Sequence, residues 1–295
     1  MGEGPQARVA DALDRRLNAY RDDLADERLR GRVAAPRYAA GREARVVTGR
    51  APMRRAPSPQ AELDTFCHYG ERVLVFDGAG GFAWCRSLFD GYVGYIDAAH
   101  LVIGDMPAPT HFVATLGSYC YEAPDVRSAP IDFLPRHAAV VVGETGFVTR
   151  GTEYARLDAG GFLPLACLSQ EQPRSPDIAA AAALYLGCPY LWGGRSFLGI
   201  DCSGLVQNAF RDIGMTVLRD TDMQRDTIGE AVPVGGEAEL RRGDLLYMPG
   251  HVLIYAGDGL VIHADGAGMM VRRETLTGFM RSRSLDFAGF VVRRP

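Results

Sequence analysis

The chain contains no lysine: all 32 of its basic residues are arginine. A surface built on one cation type records base composition more readily than chemistry, so it points to no substrate. Set against 36 acidic residues, the arginines leave a net charge of −4, which argues against a polyanion held by general electrostatics. No nucleic-acid partner is expected, and the arginine excess in the first 55 residues, 13 against 8 acids, is local. Also missing is any long apolar run. Met1–Tyr20 alternates Arg and Asp among Ala and Leu, unlike a signal peptide or a membrane span. The expectation is a cytoplasmic chain with no membrane contact. Its six cysteines, Cys67, Cys85, Cys120, Cys167, Cys188 and Cys202, include no C-x-x-C pair. Reduced and mostly buried thiols follow from that. There is no H-E-x-x-H and no G-x-G-x-x-G. Gly78–Ala79–Gly80–Gly81 lies between two strand patterns and reads as a turn. No cofactor is expected.

What is present is ordinary globular material, 47% hydrophobic and 23% charged over 295 residues, enough for two or three small domains. Leu13, Leu17, Tyr20 and Leu24 recur at helical spacing, which predicts an amphipathic helical arm over residues 1–35. Prolines at 52, 57 and 59 end that pattern. Short β-branched and aromatic runs follow, Arg72–Asp77, Phe82–Leu88 and Tyr92–Ile96, with glycine turns between them. Residues 36–105 are therefore read as a small barrel. After the linker at Pro107 and Pro109, residues 106–172 show a similar order, with a Tyr-rich strand, proline turns, the run Ala139–Val142 and the closing segment Phe162–Leu165. A second barrel is expected there. From 173 to 295 the pattern becomes α+β. Ser175 is the expected N-cap of an Ala-rich helix with Pro176 at its first position; a helix starts at Cys202, and five strands follow, the last over Phe287–Arg293.

A thiol becomes a useful nucleophile when its thiolate is stabilised, and a helix N-terminus and an adjacent imidazole both contribute. Cys202 stands at the predicted helix start, with Gly204 allowing a close neighbour. His251 opens one predicted strand and His263 lies on the next, joined at Gly257–Asp258–Gly259. Such a pair places a base beside a group that orients it. A zinc ion held by Cys202, His251 and His263 is the metal alternative, disfavoured by the lack of paired-ligand spacing.

Five segments in register, Gly187–Gly194, Asp201–Val206, Gly243–Leu245, His251–Val252 and Ile262–Ala264, resemble the NlpC-type cell-wall endopeptidases. The resemblance covers residues 175–295. It implies a papain-like fold, and hydrolysis of peptidoglycan peptides between γ-D-glutamate and a diamino acid. It also implies Cys202 as nucleophile, His251 as base, His263 as its orienting group, and Tyr190 beside the oxyanion site with the Cys202 N–H. Asp201, Ser203 and, less directly, Thr221 would face substrate. The barrels resemble bacterial SH3-like domains, at Tyr69–Val73 and Asp90–Tyr95. Glu71 and Tyr92 would then join Asp201 in holding the free α-amino group of a murein peptide. Two other readings stay open: an SH3-like binding or scaffold protein with a secondary hydrolase domain, and an amidase or acyltransferase on another substrate.

Overall fold

Turn chemistry and apolar alternation lay out the first β-unit. The structure, a computed structural model, describes residues 13–295. Arg72–Ala79 pairs with Phe82–Ser87 through a two-residue turn at Gly80–Gly81, both with positive φ (59° and 85°). Glycine adopts that conformation without strain, and its twist matches the flanking strands. The hairpin is the middle of a seven-stranded sheet in the order Leu63–His68, Arg50–Arg54, Val93–Asp97, Phe82–Ser87, Arg72–Ala79, Arg42–Val46, Leu101–Ile103. Inward residues including Val46, Met53, Val73, Val75 and Ile96 form its core.

Residues 106–172 hold two smaller sheets. One orders Ala139–Val140, His111–Val113 and Leu168–Ser169; the other orders Pro130–Pro135, Gly117–Tyr121, Phe162–Pro164, Thr152–Leu157 and Val142–Thr149. Their shared core includes Val113, Leu134, Val140, Leu157 and Leu163.

The C-terminal third is an antiparallel six-stranded sheet ordered Glu230–Ala231, Val291–Arg294, Leu245–Met248, His251–Gly257, Leu260–Asp265, Met270–Thr275. Helices Ile178–Ala183 and Cys202–Asp212 pack on one face through Ile178, Ala182, Leu205, Ala209, Phe210, Val252 and Ile262. Helix Leu276–Ser282 covers the other through Leu253, Leu276, Phe279 and Val292. No described helix is long and apolar enough to cross a membrane. All six cysteines are free thiols.

Three local expectations need correction. Among the described residues, the N-terminal arm contains no α-helix; residues 1–12 of the predicted arm lie outside the description. Instead Leu24–Asp26 forms a short parallel pairing with Arg37–Ala39, and Ala19 and Leu24 bury against Phe76 and Trp84. Docking on the first β-unit outweighs helical propensity. The N-cap of Ile178–Ala183 is Asp177, whose Oδ1 accepts from Ala180 N at 2.7 Å. Ser175 is drawn away, donating to Asp212 Oδ2 at 2.5 Å. Finally, Phe287–Gly289 is a 3₁₀ turn, and the last strand begins at Val291.

Helix Cys202–Asp212 is the hub of the three parts. Its outward polar residues Gln207, Asn208 and Asp212 are buried as well as its apolar ones. Gln207 donates to Asp90 of the first β-unit (2.9 Å), and Arg211 to Glu71 of the same unit (2.7 Å). Asp212 accepts from Arg136 (2.9 Å) and lies 2.6 Å from His137 Nε2, both in the second unit. Glu71 also pairs with Arg195 (3.2 Å) and accepts from His68 N (3.0 Å). Burial alone would raise the Glu71 carboxyl, but the Arg195 and Arg211 guanidinium groups hold it well below the usual carboxylate range. Glu71→Gln should therefore destabilise the fold by about 3–5 kcal/mol at neutral pH, because it leaves two buried cations short of a counter-charge. A group with a depressed folded pKa stabilises above its unfolded value and loses that contribution as pH falls. Urea titrations should accordingly show the wild-type excess over Glu71→Gln shrinking as pH drops below the ordinary carboxylate range.

Candidate active site

Asp201 sets the site by starting the helix. As N-cap its Oδ1 accepts from Gly204 N (2.7 Å), while Oδ2 accepts from Gly193 N (2.8 Å). Arg219 closes the arrangement with two hydrogen bonds to the same carboxylate, at 3.0 and 2.6 Å. Gly204 is obligatory here: a Cβ would lie 2.2 Å from the Gly194 carbonyl oxygen. The consequence is that Cys202 occupies the first helical position, where the unpaired amides of the first turn favour a negative charge.

Cys202, Tyr190, Trp192, Asp201, Ser203, Arg219 and Thr221 line one cleft of about 260 Å³. Gly250, immediately before His251, lies at the same cleft, with its carbonyl oxygen 3.9 Å from the Cys202 Sγ. His251 Nε2 is 2.9 Å from His263 Nδ1, and His263 Nε2 is 2.9 Å from Glu274 Oε1. The two histidines are thus brought together on adjacent strands, as their spacing predicts. Both nitrogens of His263 are already engaged by these neighbours, which leaves the ring no free lone pair for a zinc ion. Phe279 lies beneath the pair, parallel to His251 (centroids 6.1 Å apart) and edge-on to His263 (5.2 Å).

Electrostatics favour an uncharged resting pair. Burial, with Asp201 adjacent, pushes the Cys202 thiol up to about 12, against the opposing pull of Arg219 and of the Ser203 and Val252 amides. Burial, then the nearby His263 and Arg283, pushes His251 down to about 3. Burial raises the Tyr190 phenol to about 12, with Asp201 and, once ionised, Cys202 adding to it, so it stays a hydrogen-bond donor at neutral pH.

The other candidates divide. Tyr92 comes from the first β-unit and reaches the cleft, donating from its hydroxyl to Asp220 Oδ2 at 3.0 Å. Ser203 lines the cleft but accepts from Arg219 at 2.7 Å. The Asp201 carboxylate is largely committed to its own helix and to Arg219. Thr221 opens helix Thr221–Thr227 at the cleft wall. Glu71 does not stand where its position in the sequence suggests: it is buried against Arg195 and Arg211 and does not line this cleft. The acidic residue that the first β-unit does contribute is Asp64, paired with Arg55 at 2.8 Å. Arg16 of the arm also lines the cleft, bonding Asp220 (2.8 Å) and Asp222 (2.7 Å). Asp64, Arg16, Arg219, Trp192 and Glu274 escape sequence reasoning. Of these only Trp192 lies inside a segment that carries the family resemblance; the rest are placed by chain path, strand register or docking.

The NlpC/P60 family profile matches residues 187–287, and that of the bacterial dipeptidyl-peptidase Sh3 domain matches residues 53–101. The chain is similar to the gamma-D-glutamyl-L-lysine dipeptidyl-peptidase of Bacillus subtilis (strain 168), 33% identical over 247 residues, 76% of this chain and 79% of the relative. It is also similar to dipeptidyl-peptidase 6 of Lysinibacillus sphaericus, 37% identical over 109 residues, 36% of this chain and 38% of that one. Among solved structures, an NlpC/P60 family protein from Bacillus cereus ATCC 10987 superimposes with a TM-score of 0.68 over 85% of this chain and 99% of its own, at 20% identity, and so shares the fold. A bacterial SH3 domain thus precedes a papain-like domain whose cysteine starts a buried helix beside paired histidines, and the chain belongs to the NlpC/P60 family of cysteine peptidases.

Proposed function

We propose that this protein is a cysteine endopeptidase that cuts the bond between γ-D-glutamate and the following diamino acid in short, free murein peptides beginning with L-Ala. The observation that carries this reading is that the first β-unit and the arm line the cleft beside Cys202. Tyr92, Asp64 and Arg55 of the first β-unit and Arg16 of the arm stand in the same cavity as Cys202. That wall would disfavour a long glycan-linked strand and leave room for a short peptide. The relative named for γ-D-glutamyl-L-lysine dipeptidyl-peptidase activity supports the bond assigned. Short peptides of that kind arise from murein turnover, so the reading places the protein in cytoplasmic recycling. We read residues 106–172 as a second SH3-like unit that braces the catalytic helix.

In the proposed reaction, the Cys202 proton passes to His251 as the sulfur attacks the γ-glutamyl carbonyl carbon. The Cys202 N–H and the Tyr190 hydroxyl hold the oxygen on which charge develops. His251 then gives the proton to the departing amine, leaving a thioester. Water, deprotonated by His251, hydrolyses it and restores the thiol. His263 holds the His251 ring in plane. The substrate's α-ammonium is held by the acidic wall of Asp64 and Asp220 with the Tyr92 hydroxyl. Asp220 is suited to this: burial raises its carboxyl even against Arg219, Tyr92 and Arg16, so a substrate ammonium that takes the place of Arg16 would still be drawn to hold it ionised.

Three outcomes are expected. Cys202→Ala and His251→Ala should each abolish cleavage of L-Ala-γ-D-Glu-diaminopimelate, read by mass spectrometry, with unchanged circular dichroism, while His263→Asn keeps part of the rate because an amide can still orient the ring. Because the resting thiol is raised and the imidazole lowered, alkylation of Cys202 by iodoacetamide, followed by peptide mapping, should keep rising from pH 6 to pH 9; a plateau beginning in the acid range would mean a preformed ion pair instead. The wild type should cleave the free tripeptide about 100-fold or more better than its N-acetylated form, and Asp64→Asn should narrow that ratio. Equal cleavage of both forms by the wild type would remove the amine gate.

A further inference from the structure

Glu274 lies on the edge strand Met270–Thr275, next to the strand that carries His263. Nothing in the reaction above uses it. Yet its Oε1 is 2.9 Å from His263 Nε2, and the next contact, between His263 Nδ1 and His251 Nε2, is also 2.9 Å. An ionised carboxylate can only accept a hydrogen bond. His263 must then carry its proton on Nε2. A neutral His263 so protonated has its lone pair on Nδ1, and His251 must donate to it from Nε2. A neutral His251 protonated on Nε2 keeps one basic nitrogen, Nδ1, which is left for the thiol.

The surroundings offer no substitute for Glu274. His263 is fully buried, so solvent cannot choose its tautomer. The other charged groups nearby are Asp265, Arg272 and Arg283. Asp265 is occupied by Arg272 (3.0 Å), by Arg283 (2.9 Å) and by the amides of Ala267 and Gly268. The Phe279 ring beneath presents only carbon. Without an acceptor at Nε2, His263 could take the opposite tautomer and donate from Nδ1 to His251. That would force the His251 proton onto its own Nδ1 and remove the base.

We propose that Glu274 is a positioning residue that fixes the tautomers of both histidines through the chain Glu274–His263–His251, presenting the basic Nδ1 of His251 to Cys202. The proposal rests on the assignment of Cys202 and His251 as nucleophile and base. Its test uses the full chain with ¹⁵N-labelled histidine, as wild type, Glu274→Gln and Glu274→Leu. Ring ¹⁵N shifts report the tautomers, and Cys202 alkylation reports the base without any peptide substrate. In the wild type both rings should be protonated at Nε2 and bare at Nδ1. Glu274→Leu should scramble these tautomers and slow both alkylation and kcat by at least about tenfold, with KM changed by less than about twofold. Glu274→Gln, whose amide oxygen still accepts, should keep the wild-type tautomers and recover the alkylation rate to within about threefold.

Wild-type His263 protonated on Nδ1 would overturn the proposal whether or not either variant folds. So would a folded Glu274→Leu with wild-type tautomers and alkylation. If the tautomers and alkylation respond as expected while the wild type leaves the murein tripeptide uncut, the positioning role stands and the substrate assignment fails.

Discussion

The Asp201 carboxylate is the constraint from which the active-site cleft follows. It accepts from two backbone amides on different segments, Gly193 and Gly204, and from both terminal nitrogens of Arg219. One charged group thereby fixes the start of helix Cys202–Asp212, the turn after Trp192 and the segment leading to Asp220. Charge-assisted hydrogen bonds of this kind are strong and directional. Arg219 extends the linkage to the first β-unit, donating to Thr65 Oγ1 at 2.8 Å. The position of the candidate nucleophile is thus set by groups that do not themselves react, and its thiol inherits the helix-end amides that oppose its burial.

The same helix explains why three separately cored parts behave as one scaffold. An amphipathic helix normally leaves its polar face to solvent, but here the two N-terminal units cover it. A buried polar face is tolerable only if its groups are paired. Three of its outward residues have partners in another unit, Gln207 with Asp90, Arg211 with Glu71, and Asp212 with Arg136 and His137, while Asn208 donates to the Arg195 carbonyl within the C-terminal domain. Met223, from the helix that begins at Thr221, also enters the apolar core of the first β-unit. Cleft shape is accordingly coupled to domain docking, since the wall carrying Tyr92 and Asp64 is held against the catalytic domain by contacts on the far side of the catalytic helix.

How much of this was legible beforehand depends on the range of the interaction. The Gly80–Gly81 hairpin, the helix beginning at Cys202 and the pairing of His251 with His263 all follow from spacing and turn chemistry within short stretches. Glu71 departs from expectation because sequence shows a carboxylate after a turn but not which side of the sheet faces which neighbour; its partners Arg195 and Arg211 lie more than a hundred residues away. Asp64 takes the place expected of it for the same reason. The arm shows the opposite failure: its apolar spacing suits a helix, but burial of Ala19 and Leu24 beside Trp84 selects an irregular path. Ser175 looked like a cap until Asp212, from a distant helix, competed for its hydroxyl.

The acidic cleft wall is already partly neutralised from within. Arg16 binds Asp220, Arg55 binds Asp64 and Arg219 binds Asp201, each guanidinium coming from a different segment from its carboxylate. On the proposed reading, a substrate ammonium entering this wall exchanges one cation for another, so general attraction contributes little and geometry decides. The three pairs are not equivalent. Arg219 is buried and shares its carboxylate with two amides, whereas Arg16 and Arg55 are exposed on flexible stems at 38% and 66% of full side-chain accessibility. Their carboxylates are less exposed, Asp220 at 26% and Asp64 at 8%, but with one partner in solvent these two pairs are more readily screened and opened than Arg219–Asp201. The buried pair is therefore the fixed floor of the site and the two half-exposed ones its rim. That division would let the same cluster of opposite charges anchor the candidate nucleophile and, on the proposed reading, yield to a ligand.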